Sequence, residues 1–98
     1  MAHYCKRYAR NNGRFLPCSM INGIEDCERP TSFPQNPGSL DKLLKHGQVP
    51  QSEESFLLDI WTPQTEGKKP VLFWVHGGAF ADGSSSDSQN EATELAKQ

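Results

Sequence analysis

One stretch constrains the fold more than any other: an unbroken apolar run that ends beside a pair of glycines. Residues 71–75 read Val-Leu-Phe-Trp-Val, and Gly77 and Gly78 follow after one histidine. An apolar run without alternation is typical of a strand that is covered on both faces, as in the centre of a parallel sheet. The run therefore predicts a strand over 71–76 and an α/β fold around it.

The glycine pair predicts a site that is built from main-chain groups. Gly77 and Gly78 remove two side chains where the strand ends, so a ligand can approach the backbone closely. In open α/β sheets, ligands bind beyond the carboxyl ends of the strands. We therefore expect backbone N–H groups of this loop to form the site.

Residues 52–63 predict a second strand. Residues 56–61 are rich in strand formers, and Pro63 ends the run. A short polar loop that contains Gly67 leads to the apolar run, so we expect 56–61 to pair antiparallel with 71–76.

Carboxylates lie at the start of this strand and within it. Glu53 and Glu54 are adjacent, and adjacent residues of a strand point to opposite faces, so the two cannot converge on one substrate. A structural salt bridge is the expected role, for example to Arg14. Asp59 is also expected to be a structural partner.

Together, these stretches resemble type-B carboxylesterases of the α/β-hydrolase superfamily. His-Gly-Gly-Ala-Phe at 76–80 resembles the HGGG-type oxyanion loop of lipases and esterases, and the form with alanine is similar to the bacterial para-nitrobenzyl esterase kind. Residues 52–63 resemble the family's S-E-D-C-L-Y-L-N-V-W-T-P signature. The departures are Glu54 for Asp, Ser55 for Cys, Phe56 for Leu and Asp59 for Asn. The resemblance implies the α/β-hydrolase fold and a serine carboxylic-ester hydrolase.

The resemblance also implies roles for the loop residues. In the family's pattern, the N–H groups of Gly78 and Ala79 donate to the oxygen that becomes negative when an ester carbonyl turns tetrahedral. Gly77 would give the loop its geometry, Phe80 would line the mouth of the substrate pocket, and His76 would brace the loop by hydrogen bonding. An ordinary glycine-rich turn is the alternative interpretation of the loop alone.

The nucleophile, acid and base of such a hydrolase have no counterpart in this chain. The G-x-S-x-G elbow is absent, and Ser84, Ser85 and Ser86 after Gly83 do not reproduce it. We therefore expect 1–98 to be the N-terminal fragment of an esterase domain, without turnover of its own. A non-catalytic α/β-hydrolase-like binding module and a small stand-alone interaction protein are the alternatives.

The partial domain is expected to have two unequal parts. Residues 1–50 are expected to be irregular, and 52–98 to be the part that matches the family. Within these parts, 39–47 predict one or two helical turns, and a capping box at 88–91 predicts a short helix at about 89–97.

Three cysteines, Cys5, Cys18 and Cys27, lie in the N-terminal third. Cys18 and Cys27 could form a bridge, but without a secretory signal free thiols are expected. A metal site that combines the cysteines with His3 has no ligand spacing to support it. Ser55 stands where the resemblance places a disulfide cysteine in secreted relatives. That bridge cannot form here, which fits a reducing compartment.

Charge and hydropathy limit the function further. The net charge is −2 and there is no basic block, which argues against nucleic-acid binding and against an electrostatic membrane anchor. No apolar run approaches the length of a transmembrane helix. We expect a cytoplasmic protein without metal or cofactor, whose intact form acts on a small-molecule carboxylic ester.

Overall fold

A three-stranded antiparallel sheet is the main element of the structure. The computed structural model describes residues 1–37, 49–63 and 66–98. The elements, in chain order, are β1 (Ala2–Arg10), β2 (Ser19–Asp26), β3 (Leu57–Thr62), a 3-10 turn (Ser88–Asn90) and α1 (Thr93–Ala96). β1 lies in the middle, between β2 and β3, and both pairings are antiparallel. The helical turns predicted at 39–47 lie outside the described residues.

The described part of the N-terminal region contains two strands, so the expectation of an irregular segment over 1–50 is wrong for residues 2–26. It supplies two of the three strands, and β1 pairs with β3 in one register from Ala2 opposite Thr62 to Arg7 opposite Leu57. A central strand is stabilised by hydrogen bonds to a neighbour on each side. Those neighbours are distant in sequence, and a local interpretation of the first residues does not contain them.

Cross-strand ion pairs accompany the ladders around β1. The pairs are Lys6–Asp26, Arg7–Glu54 at 2.9 Å and Arg10–Glu25 at 2.5 Å. Each is partly exposed, and exposed ion pairs contribute about 0–1 kcal/mol each. Their main effect is therefore on register, since a shifted strand would separate the basic side chains of β1 from their acidic partners.

The Asn22-Gly23 dipeptide lies inside β2 and not between elements. Arg7 to Ala9 is two residues along β1, whereas their partners, Glu25 and Met20, are five residues apart along β2. The extra residues form an irregularity in the ladder, and Gly23 has a φ of 88°, which an L side chain rarely adopts. An Asn-Gly dipeptide, which is typical of turns, therefore lies at an irregularity within a strand here.

The apolar run forms no strand, so the prediction of a paired strand over 71–76 is wrong for this structure. β3 pairs with β1 instead, and no ladder among the described residues includes 71–76. The side chains of residues 71–75 are 69–90% exposed. A strand of this composition needs neighbours on both edges and cover on both faces, and the described residues supply neither.

The cysteine expectation is also wrong for two of the three residues. Cys5 and Cys27 form a disulfide, with their Cα atoms 5.4 Å apart, and Cys18 is free and exposed. The pairing follows from the sheet, because Lys6 lies opposite Asp26 and the neighbouring cysteines are thereby opposite as well.

The helix predicted at about 89–97 is split into the 3-10 turn and the four-residue α1. Glu91 between them has an extended backbone, and the 3-10 turn has no side-chain cap. The Glu91 carboxylate instead accepts hydrogen bonds from the hydroxyl and the backbone N–H of Thr93, at the start of α1. These bonds lower the pKa of Glu91. The Glu91 carboxylate therefore bonds to the residue that begins α1.

The apolar core of the described residues is small. Ala9 is the one apolar side chain there that is buried. Around it, Phe56 contacts Tyr8 and Phe33 edge to face, with ring centroids 6.1 and 4.9 Å apart. Burial raises the pKa of the Tyr8 phenol, and a charge on Cys18 raises it further. The cluster packs the segment before β3 against β1.

A pair of hydroxyl groups occupies the place where the family resemblance puts a disulfide cysteine. Ser55 is buried; its Oγ donates to the Ser52 carbonyl at 2.6 Å and lies 2.8 Å from the Thr31 hydroxyl. The hydrogen bonds join residue 31 to the segment that leads into β3.

None of the helical segments within the described parts of the chain has the length and apolar character needed to cross a membrane.

The exposed apolar run gives a first prediction. Amides of 71–75 should exchange with solvent about 100-fold or more faster than the laddered amides of β1, because unpaired backbone needs no opening step. Hydrogen exchange followed by NMR on the 98-residue chain measures both. Equal protection in the two segments would contradict the exposed conformation.

The disulfide gives a second prediction. Alkylation of the unreduced chain with iodoacetamide should add one adduct, at Cys18, and reduction beforehand should raise the number to three. Intact mass and a peptide map measure the sites. Two or three adducts on the unreduced chain would show that Cys5 and Cys27 are free thiols.

Candidate functional site

The loop that follows the apolar run is a tight turn around Gly78. The N–H groups of Ala81 and Asp82 both donate to the Gly78 carbonyl, at 2.9 and 3.2 Å. Gly78 has a φ of 139°, and a Cβ added there would lie 1.8 Å from the Asp82 carbonyl oxygen. The turn can therefore close only if residue 78 is glycine.

Two further residues of the turn have a left-handed backbone. Ala79 and Phe80 have φ values of 51° and 61°. For residues with a Cβ this conformation costs about 1–2 kcal/mol each, and such strain is concentrated at functional sites. It lies at the positions that the sequence analysis selected.

The strained turn leaves adjacent N–H groups available. Within the described ranges, the amides of Gly78 and Ala79 donate to no other residue. Both residues are accessible to solvent. Successive N–H groups in a turn of this kind can form a concave binding site for an anion.

His76 and Gly77 contact the far end of the same loop. The Nδ1 of His76 donates to the Gly77 carbonyl at 2.8 Å. A Cβ at Gly83 would lie 2.4 Å from Gly77 O and 2.6 Å from His76 Nδ1. The end of the loop at Gly83 thus packs against its beginning at His76 and Gly77, and residue 83 must lack a side chain.

Phe80 projects into solvent. Its side chain is fully exposed and contacts no ring or cavity of the described residues. A role in lining a substrate pocket therefore stays a prediction.

A buried carboxylate holds the next part of the chain against β3. Only 3% of the Asp59 side chain is exposed. It accepts hydrogen bonds from His3 Nε2 at 2.8 Å, Ser85 Oγ at 2.6 Å and Ser86 Oγ at 3.2 Å. His3 also stacks on Trp61, with ring centroids 4.6 Å apart. Asp59 is therefore a structural partner, as predicted, but its contact with His3 was missed.

This cluster contains the residue types of a catalytic triad in the wrong order. In a triad the histidine lies between serine and carboxylate, so that it can take the serine proton. Here the carboxylate of Asp59 lies between Ser85 and His3. Among the described residues, the hydroxyls of Ser85 and Ser86 therefore contact the carboxylate directly and no imidazole. An open cleft of about 270 Å³ lies beside the cluster.

The two glutamates before β3 have different partners. Glu53 pairs with Arg14, as predicted, whereas Glu54 pairs with Arg7 and accepts the N–H of Asn11 at 3.2 Å. The carboxylates do not converge on one point.

The described ranges contain no group of three or more His, Cys, Asp and Glu side chains that could hold a metal ion.

Comparison with protein families decides the membership of the chain. The family model described as the carboxylesterase family matches residues 10–98. The chain belongs to the carboxylesterase family. The matched region begins before 52–98; it includes β2, β3 and the loop at 76–83, and of β1 only Arg10.

Individual relatives support the same assignment. The chain is 42% identical over 52 residues to phenmedipham hydrolase of Pseudarthrobacter oxydans and 37% identical over 57 residues to para-nitrobenzyl esterase of Bacillus subtilis. It is 40% identical over 48 residues to fumonisin B1 esterase of Sphingopyxis macrogoltabida. These alignments cover 52%, 56% and 47% of the chain. No solved structure matches the chain significantly.

The chain is short relative to these three relatives. It spans 10%, 12% and 9% of their respective lengths. The small core and the uncovered apolar run agree with a part of a larger α/β domain.

The Asp59 cluster gives a third prediction. Asp59→Asn should lower the free energy of unfolding by about 1.5–3 kcal/mol, because it removes hydrogen bonds to a charged group that is buried. Urea denaturation followed by tryptophan fluorescence measures the loss. Asp26→Asn is the matched control, since Asp26 forms an exposed pair with Lys6. Equal losses in the two variants would contradict a special role for Asp59.

Proposed function

We propose that this chain supplies the oxyanion-binding loop of a carboxylic-ester hydrolase. The observation that carries the proposal is a pair of adjacent N–H groups, at Gly78 and Ala79, directly after His76-Gly77. The strained turn leaves them without partners among the described residues. Membership of the carboxylesterase family supports the same role.

The chemistry of the proposed step is electrostatic. When a nucleophile attacks an ester, the carbonyl oxygen gains a full negative charge as the carbon turns tetrahedral. Two N–H donors that are already oriented toward that oxygen bind it more strongly than they bind the neutral carbonyl, so the barrier falls. A donor of this kind typically contributes about 2.7–4 kcal/mol.

Each loop residue has a separate part in this proposal. Gly78 and Ala79 donate, Gly77 lets the chain turn away from the apolar run, and Phe80 borders the place where the acyl or alcohol group lies. His76 braces the loop through its bond to the Gly77 carbonyl. A serine nucleophile, its acid and its base would come from outside this chain, so the chain by itself has no turnover.

The proposed substrate is a small-molecule carboxylic ester, since two of the relatives named above are esterases. A cytoplasmic location remains part of the proposal, but the Cys5–Cys27 disulfide removes the thiol argument for it, because disulfides are typical of oxidising compartments. Neither a nucleic acid nor a membrane is a proposed partner, given the net charge of −2 and the lack of a basic block.

A hybrid esterase tests the proposal. It joins this chain to the remainder of the Bacillus subtilis para-nitrobenzyl esterase that follows the aligned region. We expect it to hydrolyse p-nitrophenyl acetate, and Ala79→Pro to lower kcat by about 10²–10³-fold. Proline removes the N–H and cannot adopt the φ of 51°.

Ala79→Gly is the matched control, because it keeps the donor and tolerates a left-handed backbone. Its kcat should remain within a few-fold of the hybrid's. The 98-residue chain alone should hydrolyse no ester and should not be labelled by a serine-reactive phosphonate. Unchanged turnover of Ala79→Pro in an active hybrid would remove the role of this loop.

A further inference from the structure

The side-chain amide of Gln35 pairs with both polar main-chain groups of Gly83. The Gly83 N–H donates to Gln35 Oε1 at 2.7 Å, and Gln35 Nε2 donates to the Gly83 carbonyl at 3.1 Å. The two residues are 48 positions apart, and the bonds are partly buried. The Gln35 amide therefore satisfies both main-chain groups of Gly83, as the backbone of a neighbouring strand would.

The backbone of Gln35 is held in the same manner by a second glutamine. Its N–H donates to Gln51 Oε1 at 3.2 Å, and Gln51 Nε2 donates to its carbonyl at 2.9 Å. The backbone of Gln51 forms a parallel bridge with Ser32. Two amide side chains thus connect the segment before β3 to Gly83 in series.

Gly83 in turn contacts the residues that precede the free N–H groups. The space that a Cβ would need at Gly83 is occupied by the Gly77 carbonyl and the His76 ring. A displacement of Gly83 would therefore displace Gly77, and Gly78 is the next residue. The strained φ values of Ala79 and Phe80 require such support, because nothing in that turn besides the bonds to the Gly78 carbonyl retains them.

We propose that Gln35 is a positioning residue of the oxyanion loop: it holds Gly83, and through Gly83 it orients the N–H groups of Gly78 and Ala79. The inference rests on the proposed function of that loop. Gln35 touches no substrate atom. Its effect is to keep the donors in the geometry of the transition state before the substrate arrives, which is the condition for electrostatic stabilisation.

Gln35→Met on the 98-residue chain tests the connection without any catalysis. Methionine keeps the length of the side chain and removes both hydrogen bonds. We expect the Gly83 amide to exchange at least about 10-fold faster, and the NMR amide resonances of Gly78 and Ala79 to shift. Gln89→Met is the matched control, because Gln89 is exposed in the 3-10 turn. It should change neither the exchange rate of the Gly83 amide nor the two amide resonances.

The hybrid esterase tests the consequence for turnover. Gln35→Met should lower kcat about 10-fold or more and leave KM within about 2-fold, because donors that are misplaced weaken binding of the transition state and not of the ground state. Gln35→Glu keeps an acceptor for the Gly83 N–H and lacks the donor. It should therefore retain more activity than Gln35→Met. A purely structural loss would instead reduce the amount of folded enzyme, with KM and kcat per active site unchanged.

The outcomes separate this inference from the proposed function. If only Gly83 responds in the NMR experiment, and Gly78 and Ala79 do not, Gln35 acts locally and the inference is overturned. A hybrid in which Ala79→Pro abolishes turnover and Gln35→Met does not also overturns the inference, and it leaves the proposed function intact. A hybrid insensitive to Ala79→Pro overturns the proposed function and with it any catalytic consequence of Gln35.

Discussion

The ladder between β1 and β3 is the contact on which the other described features depend. It brings His3 to Asp59 across the sheet, and the ladder of the same β1 with β2 places Cys5 beside Cys27. Backbone hydrogen bonds of a sheet set register by geometry, and each one orders residues from separate parts of the chain. With the ladder in place, the polar side chains of β3 can meet the loops that follow the apolar run.

Those loops are held by side chains and not by regular secondary structure. Asp59 receives two serine hydroxyls from the segment after Gly83, and Gln35 pairs with Gly83 itself. Polar contacts of this kind are directional, so they can retain a backbone conformation that is costly by itself. Amide and carboxylate contacts therefore support the turn that contains Gly78 and Ala79, whereas the apolar run before it has no cover.

Local patterns predicted contacts better than they predicted the sheet. The strand at 56–61 agrees with β3, and the pairing of Glu53 with Arg14 is confirmed. The predicted strand over 71–76 is wrong for the described structure. An apolar run indicates a strand that could be buried, but the elements that would cover it must come from other parts of the chain. The disulfide and β1 were not predicted for a related reason. Both depend on which strands pair and in what register, and the sequence of one strand does not indicate which strand it pairs with.

The sequence by itself determined family membership and the position of the candidate site. Both reside in short segments, such as the glycines at 77 and 78, whose chemistry is local: a missing Cβ permits the same close approach wherever the chain folds. The tertiary structure alone decided which groups support that site, from the Cys5–Cys27 bond to the contact of Gln35 with Gly83. Such contacts join residues far apart in the chain, so they form only when the sheet and the loops have folded.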